Sequence, residues 1–126
     1  MATITATVTF LNRNPPVVEI AWRGFASSGD VGNLVSYPGL ADKTIQFVGA
    51  SGSTFGASLS VALYGGMINS IGVANILKDT AGANISTTSP AAYIVANNPR
   101  YMAPWVTAGA SGTGVLALDV IMIATR

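Results

Sequence analysis

Ala2-Thr3-Ile4-Thr5-Ala6-Thr7-Val8-Thr9-Phe10 alternates without interruption between an apolar residue and a threonine. A period of two belongs to a strand, where successive side chains point to opposite faces. Ile4, Ala6, Val8 and Phe10 therefore share one face, and Thr3, Thr5, Thr7 and Thr9 share the other. β-Branched threonine suits the outer pleat of a half-buried strand.

The same rhythm returns along the chain. Asn12-Arg13-Asn14-Pro15-Pro16 ends the first strand, because two prolines do not fit inside a central strand, and predicts a turn or an extended crossover. Val17 to Trp22 follows with Val18, Ile20 and Trp22 on one side and Val17, Glu19 and Ala21 on the other. Gly24 to Gly39, rich in Gly, Ser, Asp and Asn, reads as a long loop, and loops longer than about 12–15 residues are usually functional. Lys43 to Val48 places Ile45 and Phe47 inward. A turn cluster at Ser51–Gly56 precedes Ser58 to Tyr64, where Leu59, Val61 and Leu63 face the core. Residues 71–77 read as a strand or a short helix, the strand being preferred, and Asp79-Thr80-Ala81-Gly82 as a tight turn. Short strands are expected near Ile85, at Tyr93 to Val95, and at Tyr101 to Thr107, where Pro104 marks an edge or a bulge. The last strand runs from Val115 to Ala124. No stretch carries a helical stripe. The sequence thus predicts an all-β fold: one antiparallel β-sandwich domain over residues 1–126, jelly-roll-like, with about seven to eight strands.

The last strand is apolar on both faces. Leu116, Leu118, Val120 and Met122 form one, and Val115, Ala117, Ile121 and Ile123 form the other, interrupted by Asp119. Antiparallel sheets usually keep one face wet. Either this strand lies centrally under a loop, or a neighbouring subunit covers its second face.

Charge supports the second kind of burial. Only 9% of residues are charged, against about 25% in an ordinary soluble domain. A surface so poor in charge tends to lie against another protein. The net charge of +1 offers no field for nucleic acid or an acidic membrane, and neither partner is expected. The uncharged stretch between Lys43 and Lys78 is broken by glycines and polar residues and does not read as a membrane helix. Met1 to Phe10 lacks the basic and continuous apolar regions of a secretory signal.

There is no histidine and no cysteine, which removes Ser-His-Asp and Cys-His catalysis and any thiolate metal site. Glu19, Asp30, Asp42, Asp79 and Asp119 are scattered, and each has a local explanation. Asp30 and Asp79 sit in glycine-containing turns, and Glu19 is on an outward strand face. Asp42 beside Lys43 reads as a surface ion pair or a turn. Trp22, Trp105, Phe47 and Tyr101 are expected to fill the core. No enzyme activity, cofactor or metal is expected.

Trp22-Arg23-Gly24-Phe25, Gly29-Asp30-Val31-Gly32 and Ala41-Asp42-Lys43-Thr44-Ile45-Gln46-Phe47 occur in an order that resembles a group of small tailed-phage structural proteins, the capsid decoration or cement proteins. Leu77-Lys78-Asp79-Thr80-Ala81-Gly82 and Pro99-Arg100-Tyr101-Met102-Ala103-Pro104 are similar to later motifs of that group. The chain departs from it at Gly65-Gly66-Met67-Ile68-Asn69, where many members carry a Gly-Ser-Asn-Asp loop and a tryptophan. The resemblance implies a β-sandwich or jelly roll that forms a homotrimer over capsid junctions. It also implies the major capsid protein as partner, location on the virion exterior after synthesis in the host cytoplasm, and no catalytic residue. The segments expected to make contact are extended, polar and proline-containing: Asn12, Arg13, Asn14, Pro15 and Pro16, then Asp30, Asn33 and Tyr37 in the following loop. The competing readings are a tail or head–tail connector subunit, and a carbohydrate-binding sandwich that stacks sugars on Trp22 or Trp105.

Overall fold

The alternation of the first ten residues is kept, but the chain changes sheets in the middle of it. In a computed structural model, which describes residues 2–49, 55, 59–108 and 118–126, β1 (Thr3–Ile4) belongs to one sheet and β2 (Ala6–Arg13) to the other. Around the switch at Thr5, the Ala6 N–H donates to Asn33 Oδ1 at 2.7 Å, and the Asn33 N–H to the Ile4 carbonyl at 2.9 Å.

The described residues form eleven strands and one short 3-10 turn. After β2 come β3 (Pro16–Phe25), β4 (Val31–Gly32), β5 (Asp42–Gly49) and β6 (Ser60–Gly66). The 3-10 turn Ile71–Val73 precedes β7 (Asn75–Ile76), β8 (Ser86–Thr87), β9 (Ala91–Val95), β10 (Tyr101–Ala108) and β11 (Leu118–Thr125). One sheet has the order β2-β3-β11-β5-β9; the other runs β1-β4-β10-β6-β7, with β8 also paired to β6. All pairs are antiparallel except β1 with β4. This is the expected all-β sandwich.

Period two decides which side chains meet between the sheets. Val18, Ile20 and Trp22 from β3, Ile45 and Phe47 from β5, and Leu118, Val120 and Met122 from β11 face Val61 and Leu63 from β6 and Met102 and Val106 from β10. Trp22, Phe47 and Leu63 are fully buried, and such side chains each contribute about 1.5–3 kcal/mol by leaving water. Gly32 is required by close approach: a Cβ there would stand 2.7 Å from Trp22 Cδ1 and 2.8 Å from Pro104 Cδ.

Four sequence expectations change. Residues 71–77 form the 3-10 turn and a two-residue strand rather than one strand. Pro104 lies inside β10, opposite Leu63, and the bulge of that strand falls at Val106–Ala108. Gly24 to Gly39 is not a loop throughout, since β3 continues to Phe25, β4 follows, and Val35 bridges to Met102. Trp105 and Tyr101 are half-buried on the outer face of their sheet, and Trp105 packs on Tyr64 with centroids 5.2 Å apart. The turn cluster at 51–56, apart from Phe55, and the start of the last strand at 115–117 lie outside the described residues.

Candidate interaction surface

The expected contact residues fall into two groups at opposite ends of the sandwich. Asn12, Arg13, Asn14 and Pro15 are exposed at the tip of the β2–β3 hairpin, where the Asn14–Pro15 bond is cis, and Pro16 is half-buried. Arg13 lies over the ring of Phe10, 4.9 Å from its centroid. Asn33 is bonded to Ala6 at the other end of β2. Seven strand steps of about 3.4 Å separate the two ends, roughly 24 Å. Tyr37 is half-buried against the core and belongs to the hairpin end, since its carbonyl accepts from Leu40 and Leu40 in turn contacts Lys43. One protomer does not gather these residues into one patch.

Asp30 is built into the fold. It is buried, and its carboxylate accepts the N–H groups of Ala2, Ala26 and Ser27 at 2.9–3.0 Å and the Ser27 hydroxyl at 3.3 Å. Burial pushes its pKa up, but the hydrogen bonds from Ala26, Ser27 and Ala2 and the Ser27 side chain outweigh it and hold the pKa below the usual value. A carboxylate so occupied is not a contact residue. It pins the amino-terminal strand to the β3–β4 turn. Asp79 acts in the same way in its turn: Oδ1 accepts from Ala81 and Ala83, and Gly82 has φ +85°.

Lys43 departs from its sequence reading. It is almost fully buried, on the same face as Ile45 and Phe47, and donates to the Leu40 carbonyl at 2.6 Å and to Asn98 Oδ1. Asn98 Nδ2 passes the chain of bonds on to the Pro38 carbonyl at 2.8 Å. Burial lowers the ammonium pKa, against the attraction of Asp42, which raises it. The side chain is a strut between the 38–43 and 96–98 segments.

The outer face of the five-stranded sheet carries the feature that the sequence suggested for β11. That strand is central, between β3 and β5. Registers place two rows across the face: Thr9, Glu19, Ile123, Thr44 and Ile94 in one, and Thr7, Ala21, Ile121, Gln46 and Ala92 in the next. Glu19 is the single charge in these rows. Ile121 and Ile123 are half-buried by their neighbours, and Ile94 is 58% exposed. No described residue forms a layer above them. The Arg23–Asp119 ion pair, 3.5 Å long, bounds the face on one side.

Other exposed apolar groups escaped the sequence reading. Met67 and Ile68, 71% and 64% exposed, stand with Val73 in the β6–β7 connection, and Val8, Phe10 and Leu11 stand along β2. The signal for the first was present as an apolar pair after Gly65–Gly66. For β2 the alternation is kept, but the expected half-buried strand is exposed from Thr7 to Arg13, because it lies at a sheet edge that the sequence did not make visible. Tyr64 and Trp105 are inclined at 60°, so they offer no flat platform for a sugar, and Trp22 is buried.

No model of a known protein family matches the chain, and no curated protein matches it. Among solved structures it is similar to the SPBc2 prophage-derived protein YomS, with a TM-score of 0.53 and 12% identity over 87% of this chain and 95% of that one. A looser likeness, with a TM-score of 0.39 and 10% identity over 98% of this chain and 83% of the other, is to the K1 cleaved adhesin domain of Lys-gingipain from Porphyromonas gingivalis W83. What the chain shares with YomS is a fold, the two-sheet sandwich.

Proposed function

We propose that this chain is a structural subunit of a tailed-phage particle, seated on the outside of the capsid as a cement protein against the major capsid protein. The observation that carries the reading is the outer face of the five-stranded sheet, where Ile121, Ile123 and Ile94 stand among threonine, alanine and glutamine with one charge. Desolvating charge is costly, so a face of this composition is suited to burial in an assembly. The prophage origin of YomS and the resemblance of the motifs to decoration proteins support a phage particle as that assembly.

The mechanism is additive. Each copy buries neutral surface across capsid subunits, and a contact of about 800 Å² per partner is a standard specific interface. Repetition over a shell turns modest individual contacts into a large gain in resistance to opening. The exposed hairpin at Asn12–Pro15 and the Met67–Ile68 connection lie at one end of the sandwich and supply further contacts. Capsids assembled with and without the chain test the reading. Added protein should bind the shell surface and raise the temperature at which the shell opens, whereas a shell that neither binds it nor changes its opening temperature overturns the assignment. Binding only to tails or connectors moves the subunit elsewhere in the particle.

A further inference from the structure

We infer that two copies of this chain associate edge to edge through β2, in antiparallel register about a two-fold axis at Thr9. The backbone groups of β2 alternate in direction along the strand. The Ala6 N–H points away from β3, because it is held by Asn33 Oδ1. Along a strand these directions repeat every second residue. The N–H and C=O groups of Val8 and Phe10 therefore also point away from β3, while those of Thr7 and Thr9 serve the ladder with Ala21 and Glu19. Among the described residues, β2 pairs with β3 alone.

Both limits of the open segment are visible. Asn33 occupies the edge at Ala6, and a bulge at Leu11 interrupts the register between Phe10 and Asn12. What remains is Val8-Thr9-Phe10, with Val8 38% and Phe10 45% exposed. This segment is complementary to itself. With Thr9 on the axis, Val8 of each copy lies opposite Phe10 of the other, and the outward groups form four hydrogen bonds. The side chains then meet as two aromatic–β-branched pairs on one face and a Thr–Thr pair on the other, both favourable cross-strand combinations. No charge opposes a like charge, since Arg13 is the sole ionised residue of β2 and would lie opposite Thr5.

The far edge of the same sheet says why the contact stops at two. At β9 the Thr80 N–H donates to the Ile94 carbonyl at 3.2 Å, and the Ala96 N–H to the Lys78 carbonyl at 2.9 Å. The chain's own 78–80 segment covers that edge from Ile94 to Ala96, and a two-fold contact that uses β2 of both copies joins two sheets and closes. The pair is distinct from the trimer implied by the resemblance, which needs another surface, and it does not depend on the capsid reading. Its contact is a strip of three residues, about 10 Å long and about 10 Å deep, far less than the ~800 Å² per partner of a standard interface. The dimer is accordingly concentration-dependent.

The chain lacks cysteine, which makes cross-linking decisive. On the axis the two Thr9 residues form a non-hydrogen-bonded pair with Cα atoms about 4.5 Å apart, within disulfide reach. Thr9→Cys should give a covalent dimer under mild oxidation. Thr7→Cys should not, because the two Thr7 residues are about 14 Å apart in this register. Val8→Pro removes an edge donor without touching the β3 ladder and should weaken dimerisation at least tenfold by light scattering, with the circular dichroism of the fold retained. Equal cross-linking of the two cysteine variants overturns the inference. So does a Val8→Pro protein as dimeric as the parent, or a parent that stays monomeric or forms a trimer indifferent to Val8→Pro.

Discussion

The indole nitrogen of Trp22 donates to the backbone carbonyl of Asn33 at 3.0 Å, and through this bond a fully buried aromatic of the core fixes the course of the segment that ties β1 to β2. Asn33 is thereby used three times, because its side chain also accepts from Ala6 and its N–H donates to the Ile4 carbonyl. Core packing, the sheet switch at Thr5 and the boundary of the open edge of β2 all meet at this residue.

Gly32 sits in the narrowest part of that arrangement. A methyl group there meets Trp22 Cδ1 at 2.7 Å and Pro104 Cδ at 2.8 Å, and neither ring can swing aside. Gly32→Ala should cost about 1–3 kcal/mol, the usual range for overpacking. Urea unfolding monitored by tryptophan fluorescence measures it, and an unchanged midpoint would show that the ring contacts are slack.

Asp30 gives an acid-side prediction. Its folded pKa lies below the ordinary 3.8, so its stabilisation is complete above about 3.8 and is lost as pH falls through the folded value. Asp30→Asn should remove roughly 2 kcal/mol at neutral pH, because hydrogen bonds to a charged group are strong and the new amide sets donors against donors. The variant should also lose less stability than the parent between pH 4 and 2. Acid titration of both proteins by circular dichroism checks this.

Lys43 predicts a slope of the same sign in the alkaline range. Its folded pKa is below 10.5, so between the folded value and 10.5 the unfolded chain binds more protons, and stability rises with pH there. One proton limits the slope to about 1.4 kcal/mol per pH unit. Lys43→Met should flatten the rise in urea midpoint as pH approaches 10.5 from below. A parallel rise in parent and variant would assign the effect to other groups.

These residues also show how far the sequence is legible. Alternation located the core positions Val18, Ile20, Trp22, Ile45, Phe47, Leu59, Val61 and Leu63, because a strand's faces are a local property. Lys43 beside Asp42 reads as a surface ion pair or a turn, although it shares the parity of Ile45 and Phe47, because the Asn98 amide that receives it comes from a distant segment. Asp30 read as a turn cap, but its bond to Ala2, twenty-eight residues away, is non-local. The same limit hid the edge position of β2. Strand order is set by pairing between distant segments, and no property of Thr7 to Phe10 reveals on which side β2 lacks a neighbour.

The outer face can be tested without disturbing the fold. Ile123→Lys adds a charge in the middle of the neutral rows, where the side chain can extend into water. The cost to stability should stay under about 1 kcal/mol, while capsid binding should fall at least tenfold. A variant that binds like the parent removes this face from the contact.

The most direct measurement is the copy number of the chain in purified particles from the phage or prophage that encodes it, by gel densitometry with imaging of the shell. A fixed number of copies per shell, ordered on its outer surface, is predicted. A chain absent from the particles, and monomeric at high concentration when purified, contradicts the account.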